Sequence, residues 1–93
     1  METSTKFEST EEEIINCLSS SSKLEHEKNL VVIKYGKHRF PYYSDFLPCA
    51  GAIISFEFKE IIFIFKIDLI GFCTDKGKIF PMVYLDYKYS IKD

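Results

Sequence analysis

The chain has no tryptophan, one arginine and only three cysteines among its 93 residues. An odd, sparse cysteine set excludes a disulfide-stapled scaffold. With Arg39 the only guanidinium against eleven lysines, bidentate clamping of phosphate or carboxylate has little to work with. Proline and glycine are scarce, three and four residues, while 46% of the chain is hydrophobic, which excludes collagen-like and disordered compositions. No apolar segment follows a positive cluster near Met1, so no secretory signal is expected. The most apolar window, Cys49 to Cys73, is broken by Glu57, Lys59, Glu60, Lys66 and Asp68, so no membrane span is expected either. Cys17, Cys49 and Cys73 lie in or beside apolar runs and read as buried free thiols. That pattern suits a reducing compartment, and an intracellular protein, cytoplasmic or nuclear, is expected.

What the chain does have is aromatic bulk, nine Phe and six Tyr, which compensates for the shallow core of a small domain. Each fully buried Phe contributes roughly 1.5–3 kcal/mol relative to an exposed one. Charge is unevenly spread. Residues 1–28 carry three Lys and seven Glu, net −4, and residues 29–93 carry net +2. The acidic part is rich in Ser and Thr, and the later part is dense in β-branched and aromatic residues. A flexible polar N-terminus over 1–8, one α+β domain over 9–89 and a frayed end over 90–93 are expected.

One short helix is predicted. Ser9 and Thr10 each have a glutamate three residues on, the spacing of a capping box, and Glu11 to Glu13 suit the positive end of the helix dipole. Ile14, Ile15, Cys17 and Leu18 give one apolar side, and Ser19 to Ser22 end it by competing for their own backbone. Strands are predicted over Asn29–Tyr35 and His38–Tyr43, joined at Gly36-Lys37, and over Ala50–Phe58, where Ile54, Phe56 and Phe58 share a face. Lys59-Glu60 marks a turn or bulge before Ile61–Ile70, in which Ile61, Phe63, Phe65, Ile67 and Leu69 form one apolar face. Asp75-Lys76-Gly77 is a turn before the last strand, Lys78–Tyr87. Pro41 and Pro81 each call for an edge position or a bulge. Hairpin-sized connections exclude a parallel α/β sheet. The expected fold is α+β, a short helix packed on a four- or five-stranded, mainly antiparallel sheet, with a small closed β-barrel plugged by the helix as the alternative.

Two surfaces are candidates for function. The run Ile61–Phe65 is apolar on both faces, more than one short helix can cover, so Ile62 and Ile64 are expected to meet another protein or a second copy of the chain. Tyr84, Tyr87 and Tyr89 join them as interface aromatics, with Tyr84 facing away from the other two in an unbroken strand. The plainer account is that a domain poor in Leu uses these rings in its core. The rival surface is residues 34–43, where Lys34, Lys37 and Arg39 interleave with Tyr35, Phe40, Tyr42 and Tyr43, the mixture that single-stranded nucleic acid requires. Its plainer account is a hairpin whose lysines protect an edge.

No catalytic set emerges. Cys49 with His38, or Cys73 with His26, has no supporting motif, and no close ligand pair suggests a metal. Asp75 to Lys78 lacks the glycine spacing of a phosphate loop. Ser9 and Thr10 could accept phosphate at the helix start, although a plain cap explains the same residues without any kinase and is the preferred account. The expected function is a non-enzymatic module for protein–protein interaction, a complex subunit, adaptor or inhibitor without a cofactor, with nucleic-acid binding as the alternative.

Overall fold

The computed structural model describes residues 5–21, 29–44 and 48–92. In chain order these form β1 (Lys6–Phe7), α1 (Glu11–Ser21), β2 (Asn29–Tyr35), β3 (His38–Ser44), β4 (Ile53–Phe58), β5 (Ile61–Asp75) and β6 (Lys78–Lys92). One short helix packs on a six-stranded, mostly antiparallel open sheet, so the fold is α+β. Strand order is β3-β2-β6-β5-β4, with β1 also on β6.

Three tight turns build three of the four antiparallel pairs. Gly36 (φ 59°) opens the β2–β3 turn, and Lys76 (φ 52°) with Gly77 (φ 80°) closes the long β5–β6 hairpin. At the β4–β5 turn both central residues, Lys59 (φ 54°) and Glu60 (φ 67°), occupy the left-handed region without a glycine. Each side chain there costs roughly 1–2 kcal/mol, and the flanking ladder from Ile53–Lys66 to Phe58–Ile61 holds the pair in place. Two strand contacts remain and both are non-local, the antiparallel pairing of β1 with β6 and a parallel one. β2 pairs with β6 in parallel through Val32–Met82, Ile33–Val83 and Lys34–Tyr84.

The helix start resolves the two candidate caps. Thr10 Oγ1 accepts from the Glu13 N–H at 3.2 Å, and the Thr10 N–H donates to Glu13 Oε1 at 2.8 Å, which completes a capping box. Ile14, Cys17 and Leu18 then face the sheet and join Val31, Ile33, Phe56, Phe63, Phe65, Ile67, Val83 and Leu85 in one core. α1 ends at Ser21, within the Ser19–Ser22 run expected to stop it, and the Ser21 hydroxyl donates to the Cys17 carbonyl at 3.0 Å. Ser22 and residues 23–28 lie outside the described residues.

The sheet is not closed, which corrects the barrel alternative. It coils enough for edge strands β3 and β4 to bring Tyr42 and Phe56 into edge-to-face contact, centroids 5.5 Å apart. Helix α1 touches both strands, and a slot of about 400 Å³ separates them beside Ser20 and Ser21.

Several sequence expectations shift with the strand pairing. Pro41 does lie on an edge strand, whereas Pro81 lies in the central strand β6, one residue before the β2 ladder begins at Met82. Residues 90–92 continue β6, where Lys6 and Phe7 pair with Ile91 and Ser90, so the sheet extends on both sides of the 9–89 span. Two irregularities reset the alternation of the long hairpin. Asp68 is an extra residue on β5 between the pairs Ile67–Leu85 and Leu69–Tyr84. Lys88 is an extra residue on β6 between Phe65–Tyr87 and Ile64–Tyr89. Leu69 therefore leaves the apolar face of Ile61–Ile67 and is 51% exposed. Cys49 also departs from expectation. It is exposed beside the turn at Ala50-Gly51, whereas Cys17 is buried and Cys73 half-buried.

Candidate protein-binding face

The sheet has an inner face, part of which α1 covers while Phe72 and Ile79 at its far end stay exposed, and an outer face on which no described element packs. The bulge at Lys88 decides how the three tyrosines divide between them. Tyr87 pairs with Phe65 on the inner face, where their rings meet edge to face at 5.6 Å. Its hydroxyl accepts the Ser9 N–H at 2.8 Å and lies 2.6 Å from Ser90 Oγ, which is 2.6 Å from Ser9 Oγ. Ser9 and Ser90 are both buried, so this three-hydroxyl cluster fastens the chain just before α1 to the end of β6. Tyr87 is thus a structural residue, with its ring and its hydroxyl both engaged.

Tyr84 and Tyr89 face outward together, and the expectation that they oppose each other is corrected by the bulge. Tyr89 lies opposite Ile64, and Ile91 opposite Ile62, giving a half-buried apolar group with the Lys6 ammonium 4.6 Å from the centre of the Tyr89 ring. Farther along, Tyr84 neighbours Leu69 on β5 and Lys34 on β2. Lys66 and Asp86 pair across the strands between the two groups, and Asp86 also meets Lys88 at 3.1 Å. Four of the five residues expected at a protein interface, Ile62, Ile64, Tyr84 and Tyr89, therefore share one face. Val32 and Ile91 extend that face and were missing from the sequence-derived set, whereas Met82, on the same side, is buried. In sequence, Asp68 in I-D-L and Lys88 in Y-K-Y read as unbroken apolar–charged alternation, so neither bulge carries a local signal.

The basic–aromatic hairpin divides differently. Lys34 and Arg39 are opposite each other on the outer face, with Lys37 in the turn. Tyr35, Phe40 and Tyr42 pack against the core on the inner face. Tyr35 meets Phe65 at 6.2 Å, and its phenol is raised above its ordinary pKa by burial first, then by the negative charges of Glu11, Tyr87 and Asp86. Cations and rings thus lie on opposite sides of the hairpin. The side chain of Tyr43 lies outside the described residues.

The remaining candidates are scattered. Among the described residues no cluster of three His, Cys, Asp or Glu could hold a metal ion, and His26 lies outside them. Desolvation raises the Cys17 thiol to about 11, with the Ser21 hydroxyl opposing weakly, so it rests as a neutral thiol in the core. Thr10 is exposed but bound into its cap, and Ser9 is buried in the hydroxyl cluster. No described helix is long and apolar enough to cross a membrane. No protein-family model, curated protein or solved structure matches the chain.

Proposed function

We propose that this chain is a non-enzymatic protein-interaction module, acting as a complex subunit, adaptor or inhibitor, whose outer sheet face binds another protein. A single observation carries the reading: Ile62, Ile64, Tyr84 and Tyr89 share a face on which no described element packs. Aliphatic and tyrosine side chains flanking a small charged belt match the make-up of interfaces, an apolar centre with polar groups that fix orientation. An intracellular setting, cytoplasmic or nuclear, fits the exposed free thiol of Cys49.

The test is co-purification of the full chain from its native source, with and without nuclease, beside an Ile64→Asp variant. A protein partner that survives nuclease and is lost with Ile64→Asp is expected. Recovery of nucleic acid alone would overturn the reading.

A further inference from the structure

We infer that the outer edge of β5 pairs with a second copy of the chain, antiparallel, about a two-fold axis at Gly71. The inference concerns a strand edge rather than the face given a binding role through Ile62, Ile64, Tyr84 and Tyr89, and the two border each other where Leu69 pairs with Tyr84. Its starting point is a contrast between sheet edges. Edge strand β3 carries Arg39 and Pro41, residues that deter further pairing. On β5 the ladder to β4 ends near Ile67, whose carbonyl accepts the Gly51 N–H at 2.7 Å and whose N–H donates to the Ala52 carbonyl at 2.9 Å. Beyond it, among the described residues, Leu69-Ile70-Gly71-Phe72-Cys73 pairs on one side only, with β6. This segment has no charge and no proline. It also carries the most exposed ring among the described large hydrophobics, Phe72 at 69%, close to Ile79 at 67%.

The segment is complementary to itself. With Gly71 on the axis, Ile70 comes opposite Phe72 of the second copy on the inner side, and Leu69 opposite Cys73 on the outer side. Each pair occurs twice, so both faces of the new ladder match apolar with apolar. Gly71 itself points the same way. Its φ is not positive, and an added Cβ would meet Tyr84 at an ordinary 3.6 Å, so nothing within one chain requires glycine there. Glycine weakens a strand, and close approach of another backbone is one of the reasons for finding it there. Five paired residues fall short of the ~1,200–2,000 Å² of stable interfaces, so the dimer belongs to the weak, reversible class.

The test is sedimentation velocity of the full chain over a concentration series reaching ~1 mM. Reversible dimerisation is expected, and Phe72→Asp and Leu69→Lys are each expected to move its midpoint upward by at least about tenfold. Both side chains are exposed, so each variant should keep the native circular dichroism, which separates lost pairing from lost folding. In a Cys49→Ser background, Leu69→Cys under mild oxidation should link the introduced thiol to Cys73 of the second copy. A chain that stays monomeric throughout, a dimer indifferent to both substitutions, or a missing 69–73 link would overturn the inference.

Discussion

The two faces of the β5–β6 hairpin are built from similar side chains and do different work. On the inner face Phe63, Phe65 and Ile67 are fully buried beneath α1, and Phe65 touches the rings of Tyr35, Phe56 and Tyr87. On the outer face Ile62, Ile64 and Tyr89 are half-buried, with, among the described residues, strand neighbours and the Lys6 side chain around them. Equivalent hydrophobicity therefore carries unequal weight. Within the chain, the inner residues hold the fold together, while the outer ones contribute much less to it and remain available for contact.

The sharpest way to break this contrast is a pair of truncations. Phe65→Ala should cost about 3–5 kcal/mol, since it removes the ring on which three others converge, whereas Ile64→Ala should cost ~1 kcal/mol or less. Urea unfolding of both variants measures the difference, and equal losses would erase the distinction between the faces. Alkaline titration probes the inner face alone. The Cys17 thiol is raised from 9.0 to about 11 in the folded chain. A raised folded pKa gives stability that is fully present below the unfolded value and lost as pH rises through the folded one. Stability should therefore fall by ~2 kcal/mol between about pH 9 and pH 11, and Cys17→Ala should flatten that part of the profile.

The tyrosines give the same comparison on a smaller scale. Tyr87→Phe removes the hydroxyl shared by Ser9 and Ser90 and should cost about 1–2 kcal/mol, whereas Tyr89→Phe should change thermal stability by less than ~0.5 kcal/mol. Smallest of all, Lys59→Asn with Glu60→Gly should stabilise the β4–β5 turn by ~1 kcal/mol, because both replacements accept positive φ readily. Thermal denaturation would record that gain, and a loss would mean that the two native side chains contribute contacts outweighing their strain.

The parts of this architecture that were legible in the sequence are the local ones. The Thr10–Glu13 cap is a three-residue pattern, the turns at Gly36 and Gly77 announce their geometry, and Ile54, Phe56 and Phe58 alternate without interruption. What escaped was counted across strands. A bulge leaves composition unchanged yet reverses every side chain beyond it, so Asp68 turned Leu69 outward and Lys88 put Tyr84 and Tyr89 on a common face. The parallel contact of β2 with β6 joins segments about fifty residues apart, and no local signal marks it. Lys34, Arg39 and the nearby rings were legible as residue types. Their division between faces follows from strand alternation around Gly36, once the core side of β2 is fixed by Val31 and Ile33.

The most direct test of the outer face is site-specific photocrosslinking in native extract, with a photoreactive phenylalanine analogue placed at Tyr89 in one preparation and at Tyr42 in another. The expected result is capture of a partner protein from position 89 and only intrachain products from position 42. Capture from position 42 with none from position 89 would contradict the account.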